Sequence, residues 1–435
     1  ALTARDVGDK NKVPLAGIPY HSLDNNLKKL VDTGLKIAIA EQISDPKDSK
    51  GIVDRAVTRV ITPGTVTDPN LLKSNENNFL VSFYEEKNIV DICALDISTG
   101  KFETYSTDIF NIQNEIERLN PKEILFVSEN KNIINEYFDS YLTREYEGNI
   151  KSTPLAKSLI NSHFDIEDIN QIGLENRKTL LMSLGIILDF IDSNQKTFSK
   201  NIKKINNIDR SNDLILDFVT LRDLEITKSI SGNDQNTLFY FMDQTNTAMG
   251  GRELRNWLIT PTQDLLKIKS RHNQLEWIKN NKIQLIETDE ILKKISDLER
   301  IINRVENKTS NYRDIISIYE SIIQLPLIKK MFKSSKFKFE SNSEDLRKLS
   351  KYLNYAIDTN KLSEIQTQLP IKKGFNKEFD ELIDLKFQSN NSILKLETKE
   401  KEASGINNLK ISFNRVFGYY FEVTKSNLES VPNYF

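Results

Sequence analysis

Phe79-Leu80-Val81-Ser82-Phe83-Tyr84, then Val90-Asp91-Ile92-Cys93-Ala94-Leu95-Asp96-Ile97 and Lys101-Phe102-Glu103-Thr104-Tyr105, carry the clearest fold signal in the chain. All three runs are rich in β-branched and aromatic residues, and Ser98-Thr99-Gly100 between the last two is a tight-turn sequence. The pattern predicts three successive strands. Downstream, Ile109 to Leu119 has helical spacing and Glu123-Ile124-Leu125-Phe126-Val127 returns to strand. Strands alternating with helices predict a small α/β domain, with helices from Leu174 to Ile191 packed beside it.

Outward from this core, the texture changes at Asn75-Glu76-Asn77-Asn78 on one side and near Asn206 on the other. Before the first border, Leu23, Leu27, Leu30 and Val31 recur at helical spacing, with Gly34 as a stop. Ile37-Ala38-Ile39-Ala40 predicts a short buried strand, and Val57 to Ile61 predicts another, closed by Pro63-Gly64. After the second border the pattern is mostly helical. Ile291, Ile295, Leu298, Ile302 and Val305 form a heptad-like seam, continued by Tyr312, Ile316, Tyr319 and Ile323 up to Pro326. A long rigid arm that carries motion between sites and an ordinary helical-bundle core both satisfy this spacing. Beyond Lys399-Glu400-Lys401-Glu402, Leu409 to Asn414 and Tyr419 to Thr424 alternate as two strands around Val416-Phe417-Gly418, a hairpin.

Composition narrows the chemistry. With 435 residues the chain is long enough for about three domains. Hydrophobic residues make up 38% and charged residues 28%, and no apolar run is long enough to cross a bilayer. Gly (15) and Pro (11) each stand at about half of ordinary usage, which predicts few turns and long helices. A single cysteine, Cys93, excludes an internal disulfide framework and a Cys-based zinc site, and fits an intracellular setting. His21, His163 and His272 are too far apart in sequence to suggest a metal cluster. Sixty basic residues against 62 acidic ones give a net charge of −2, so any nucleic-acid face must be local. The one Gly-Lys pair, Gly100-Lys101, has Leu95 where a P-loop needs its first glycine and Phe102 where it needs a hydroxyl. No Gly-x-Ser-x-Gly elbow, His-Glu-x-x-His helix or Cys-x-x-Cys pair occurs. Acid pairs such as Asp91/Asp96 are expected by chance in so acidic a chain, and no catalytic residue is assigned. The start at Ala1 and the stop at Phe435 both read as cuts.

Two basic clusters suit phosphate contacts, which need cations and backbone amides on exposed segments. Arg5, Lys10 and Lys12 sit with Gly8 in a polar loop before Val13-Pro14-Leu15. Lys410, Arg415 and Lys425 decorate the final hairpin, with Asn414 and the aromatic pair Tyr419-Tyr420 among them. A solvated loop and a solvated hairpin face are the plainer readings of the same residues.

Three short motifs decide between readings. Leu15-Ala16-Gly17-Ile18-Pro19-Tyr20-His21, Ala40-Glu41-Gln42-Ile43-Ser44-Asp45-Pro46 and Arg59-Val60-Ile61-Thr62-Pro63-Gly64-Thr65 together resemble the mismatch-recognition domain of the MutS family of DNA mismatch repair proteins. Leu221-Arg222-Asp223-Leu224-Glu225-Ile226, Thr237-Leu238 and the run from Thr245 to Leu258 with Pro261 are similar to that family's core, and Leu409 to Tyr420 to its clamp. The resemblance covers essentially the whole chain. It implies a multidomain α+β fold: α/β mismatch-recognition and connector domains, then a mainly α-helical lever core and the start of a β clamp. The expected borders are 1–72 for the recognition domain, 73–205 for the connector, 206–388 for the first half of the lever and 389–435 for the beginning of the clamp.

The same resemblance implies DNA mismatch repair through binding of mismatched double-stranded DNA in the cytoplasm, by a dimer that works with a MutL-type partner. The family's ATPase domain, with its ATP and Mg, lies outside the matched region, as does a Phe-x-Glu wedge upstream of Leu2. No cofactor or metal site is expected within the chain. The implied DNA contacts are Arg5, Lys10, Lys12 and His21 in the recognition domain and Lys410, Asn414 and Arg415 in the clamp. Two other functions compete. A MutS relative serving recombination typically lacks the mismatch domain, against which Ala16 to Pro19 and Glu41 to Pro46 speak. A helical scaffold that binds only proteins would show no salt-dependent DNA binding.

Overall fold

A computed structural model describes residues 2–6, 12–16, 23–42, 54–194, 202–333, 335, 337, 343–358, 370–414 and 418–432. Backbone contacts divide the chain into two units, 1–343 and 344–435. The first unit opens with an antiparallel ribbon of β1 (Leu2–Asp6) and β2 (Lys12–Ala16). Helix α1 (Leu23–Asp32) and a second ribbon, β3 (Ile37–Gln42) with β4 (Arg55–Ile61), follow. Leu27 and Val31 of α1 pack with Ile61 and Val66 in a small core, while Leu30 is 43% exposed. The run Ile37–Ala40 is a strand as expected, but it is not buried. In a two-stranded sheet only Ile37 and Ile39 face this small core, and Ala38 and Ala40 are exposed.

The central domain is a three-layer α/β sandwich. Its strands are β5 (Leu80–Glu86), β6 (Ile89–Asp96), β7 (Lys101–Asp108), β8 (Glu123–Phe126), β9 (Thr143–Glu145) and β10 (Asn206–Asn207), in the spatial order β10-β7-β6-β5-β8-β9. The three strands read from the sequence form the antiparallel meander at its centre, and the outer pairings are parallel. The turn at Ser98-Thr99-Gly100 is closed by the amides of Thr99 and Gly100, which donate to the Asp96 carbonyl. Strand residues of one parity, such as Leu80, Leu95, Phe102 and Leu125, meet α4 (Thr153–Phe164) and α5 (Lys178–Asn194). The other parity, Val81, Phe83, Ile92 and Ile124, meets α2 (Ile112–Leu119) and α3 (Lys131–Tyr137). Helix α5 is buried on nearly every side, as a helix apolar all round must be. Ser82 of β5 and Ser183 of α5, both fully buried, tie the helix to the sheet: their hydroxyls donate to each other's carbonyls at 2.7 and 2.9 Å.

The rest of the first unit is helical: α6 (Phe218–Asp223), α7 (Leu238–Met242), α8 (Ala248–Ile259), α9 (Leu265–Asn280), α10 (Lys282–Leu292), α11 (Leu298–Glu306), α12 (Tyr312–Ile322) and α13 (Leu325–Met331). The seam from Ile291 to Val305 is not one arm. A turn separates α10 from α11, with Ile295 inside it, and α11 buries Arg300, Ile301 and Asn303 while Ile302 is 49% exposed. Pro326 starts α13 instead of stopping the chain's helical course, because the first helical turn tolerates a missing N–H.

The second unit holds α14 (Ser343–Ala356), an isolated bridge between Ile357 and Ile371, the long α15 (Lys377–Ser404) and the ribbon β11 (Lys410–Asn414) with β12 (Gly418–Glu422). Asn376 caps α15 by accepting from the Phe379 amide at 2.8 Å.

Candidate nucleic-acid interface

The terminal ribbon pairs Lys410 with Glu422, Ile411 with Phe421, Ser412 with Tyr420, Phe413 with Tyr419 and Asn414 with Gly418. Its root is fixed to α15. Ile406 and Leu409 are buried, and the Glu397 carboxylate accepts the Ile411 amide at 3.0 Å while pairing with Lys401 at 2.6 Å. Lys401, then the Ile411 amide, hold the Glu397 carboxyl below the usual carboxylate range. Towards its far end the ribbon carries Phe413 and Tyr419, ring centroids 5.0 Å apart and each 61% exposed. The sequence suggested Tyr419-Tyr420 as the aromatic pair. Neighbours in a strand point to opposite faces, so the pair is cross-strand, Phe413 with Tyr419, and Tyr420 stands opposite Ser412.

Of the three clamp residues expected at DNA, Lys410 is exposed but sits at the root, opposite Glu422, whose carboxylate also accepts the Ser412 hydroxyl at 2.8 Å. Asn414 ends β11 beside residues 415–417; its side chain and Arg415 lie outside the described residues. In the first domain, Arg5 and Lys12 are not in a loop. Their backbones lie in one ribbon, Arg5 opposite Val13 and Lys12 opposite Asp6, because the apolar stretches on either side pair as strands. Lys10 lies outside the described residues, as does the whole of Gly17 to His21. Exposed aromatics and cations on a projecting ribbon can stack against sugars or bases and contact phosphate. Among the described residues no group of His, Cys, Asp and Glu could hold a metal ion.

Two of the motifs singled out in the sequence serve the seating of the first domain and not an exposed surface. Thr62-Pro63-Gly64-Thr65 forms a tight turn in which the Gly64 amide donates to Glu123 at 3.1 Å. Glu123 is fully buried at the start of β8 and pairs with Arg144 at 2.5 Å. A Cβ on Gly64 would lie 2.8 Å from Leu80 Cδ1 and 2.9 Å from Glu123 Cβ, so the turn presses onto the central sheet where only glycine fits.

The second motif, Thr245 to Leu258, grips the linker between the two domains. Thr247 caps α8 by accepting the Gly250 amide at 3.0 Å. Arg252, 5% exposed, donates to the Ser74 carbonyl at 2.8 Å and forks onto Asp297 at 2.8 and 2.7 Å, with Glu299 also at 2.7 Å. Arg300 of α11, 4% exposed, donates to the carbonyls of Lys73 at 3.0 Å and Glu76 at 2.8 Å. Asn75 donates to Asp243 at 3.1 Å, and Asn303 donates to the Ile97 carbonyl. Glu76 is surrounded by Lys73 at 3.2 Å, Lys122 at 3.3 Å and Arg255 at 3.9 Å. Burial alone would raise its pKa, but Lys122, Arg255 and Lys73 outweigh burial and hold it below the ordinary value. Asp297 and Glu299 likewise outweigh burial at Arg252 and push its pKa up. Sequence reasoning missed Arg252, Arg300 and Asn303. The one available signal was a pair of glycines and an arginine, Gly250-Gly251-Arg252, at the start of an otherwise ordinary helix.

Comparison with known proteins supplies three family models in chain order: MutS domain I over residues 1–70, MutS domain II over 78–206 and MutS domain III over 219–421. The DNA mismatch repair protein MutS of Halothermothrix orenii is 35% identical, the match covering 100% of this chain and 49% of that protein. Its counterpart in Caldanaerobacter subterraneus subsp. tengcongensis is 36% identical over 100% of this chain and 51% of its own length. The one in Clostridium botulinum (strain Loch Maree / Type A3) is 37% identical, over 99% and 47%. The chain thus spans about half the length of the curated relatives it matches.

Proposed function

The chain belongs to the MutS family, and from that premise we propose that it acts in DNA mismatch repair by holding double-stranded DNA that contains a mispair. The observation that carries the reading is the run of all three MutS domains in order, ending in a ribbon that exposes Phe413 and Tyr419. In this reading Lys410, Asn414 and Arg415 of the clamp part, and Arg5, Lys10, Lys12 and His21 of the recognition part, contact DNA phosphates. Such contacts set register but carry no sequence information. Discrimination comes from deformability: a mispaired step costs less to unstack and kink than a paired one. The residues 1–72, 73–205, 206–388 and 389–435 serve as recognition, connector, lever and clamp parts. A dimer, a MutL-type partner and a cytoplasmic setting belong to the same proposal, as does coupling to ATP and Mg in a domain outside these residues. No helix among the described residues is long and apolar enough to cross a membrane.

Fluorescence anisotropy tests the reading. The 435-residue chain should bind duplex DNA weakly, with an affinity that falls as salt rises. Arg415→Ala should weaken it and reduce the slope of log K against log salt by about one. Matched and single-mismatch duplexes should bind alike, since phosphate contacts carry no information about base pairing. Salt-independent affinity would sink the proposal. A tenfold mismatch preference, about 1.4 kcal/mol, would move the discrimination into residues present here.

A further inference from the structure

We infer that Arg252 and Arg300 are positioning residues: together they lock linker residues 73–76 onto α8 and α11, and so set how the first domain and the central sheet are carried by the helical region. The linker from Lys73 to Asn78 belongs to no helix or strand, so its carbonyls must find partners elsewhere. Three of them, on Lys73, Ser74 and Glu76, are taken by these two guanidinium groups. Both side chains are at least nineteen-twentieths buried and come from different helices.

The two helices are tied to each other through the same atoms. Asp297, which accepts the fork of Arg252, is also the N-cap of α11 and accepts the Arg300 amide at 3.4 Å. The linker therefore sits on an arginine–aspartate–arginine bracket in which no member can shift alone. A planar five-donor group can serve a carbonyl and two carboxylates at once, which a lysine ammonium cannot do in the same geometry. Close approach reinforces the bracket. A Cβ on Gly251 would lie 2.9 Å from Asn75 Cβ, so α8 meets the linker where no side chain fits between them. The Asn303 amide adds a second attachment, at the Ile97 carbonyl on the far end of β6. The inference does not depend on DNA binding by the chain, so it stands or falls separately from the proposal above.

The test reads orientation and not stability. Nitroxide labels at Lys28→Cys on α1 and Lys279→Cys on α9, both exposed positions, report the distance between the first domain and the helical region. Cys93 is fully buried and stays unlabelled in the folded chain. The parent should give one narrow distance distribution. Arg252→Gln and Arg252→Lys should both lose the narrow peak while keeping native circular dichroism, and amide exchange at residues 72–78 should rise about tenfold with β5 and β6 unchanged. Gly251→Ala is the second probe, because it keeps every charge and donor, favours the helix itself and presses chiefly on Asn75, with Thr245 Oγ1 the next atom at 3.3 Å. Broadening in Gly251→Ala supports the bracket even if an Arg252 variant fails to fold. A narrow peak in Gly251→Ala, or in a natively folded Arg252→Gln, overturns it.

Discussion

The central domain and the helical region of the first unit are held together by different forces. The central sheet is sealed on both faces by aliphatic and aromatic side chains, with Phe83, Phe102, Phe138 and Ile124 among those fully buried. Between residues 206 and 333 the buried apolar side chains are few: Ile226, Phe239, Ile301, Ile316, Ile322 and Phe332. Leu266 (78%), Ile283 (71%) and Phe241 (80%) are exposed there, while Arg252, Arg300, Asn303 and Asp314 are buried. Apolar burial contributes stability roughly in proportion to area. Buried ion pairs recover little more than their desolvation, yet they tolerate only one geometry. One region is thus built for stability and the other for a defined arrangement on its neighbours.

Limited proteolysis exposes the largest consequence. Cuts should fall first between residues 206 and 333, leaving a fragment that contains β5 to β10 and its helices. Survival of residues 206–397 as the resistant block, with early cuts in the central sheet, would reverse the comparison.

Truncation sharpens it. Phe83→Ala removes a fully buried ring in contact with Phe138 and should cost about 3–5 kcal/mol, read as a large drop in denaturant midpoint. Ile302→Ala, at a half-exposed seam position, should cost less than about 1 kcal/mol. Equal costs would mean that the helical seam is a genuine core.

The smallest effect concerns pH. Because the folded-state pKa of Glu76 lies below its ordinary value of 4.5, its contribution to stability is present above that value and is lost as pH falls below it. The melting temperature of the parent should therefore fall more steeply below about pH 4.5 than that of Glu76→Gln, with the gap closing in acid. Parallel curves would show that Lys73, Lys122 and Arg255 do not stabilise the carboxylate in the folded state.

Much of this division was legible in the residues. Leu80–Glu86, Ile89–Asp96 and Lys101–Asp108 are strands because their runs satisfy the sheet locally, side chain by side chain. The helical region was harder, since spacing reports which residues share a face but not which face is covered. On α11 the covered face is chosen by partners more than two hundred positions away, Lys73, Glu76 and Ile97, and it is polar. Ile302 and Val305 therefore misled, and Arg300 and Asn303, which apolar spacing passes over, are the residues that the covered face buries. The terminal hairpin was legible as two strands, but its aromatic pair depends on register, which pairs Phe413 with Tyr419 only once the two strands are aligned.

The position of β10 gives assembly a direction. Asn206 and Asn207 add to the sheet edge beside Glu103 and Thr104, and every residue of the helical region follows them. A chain emerging from the ribosome can close the antiparallel meander early, from contacts between near neighbours, and only later bring in this distant edge strand. By then the linker at 73–78 and the carbonyl of Ile97 are already in place. Helices α8 and α11 consequently meet a finished template, whereas the reverse order would leave two buried arginines waiting in water for carbonyls not yet arranged. Errors late in synthesis should then damage the helices and spare the sheet, which makes the central domain the part of the molecule that outlives a failed attempt to fold.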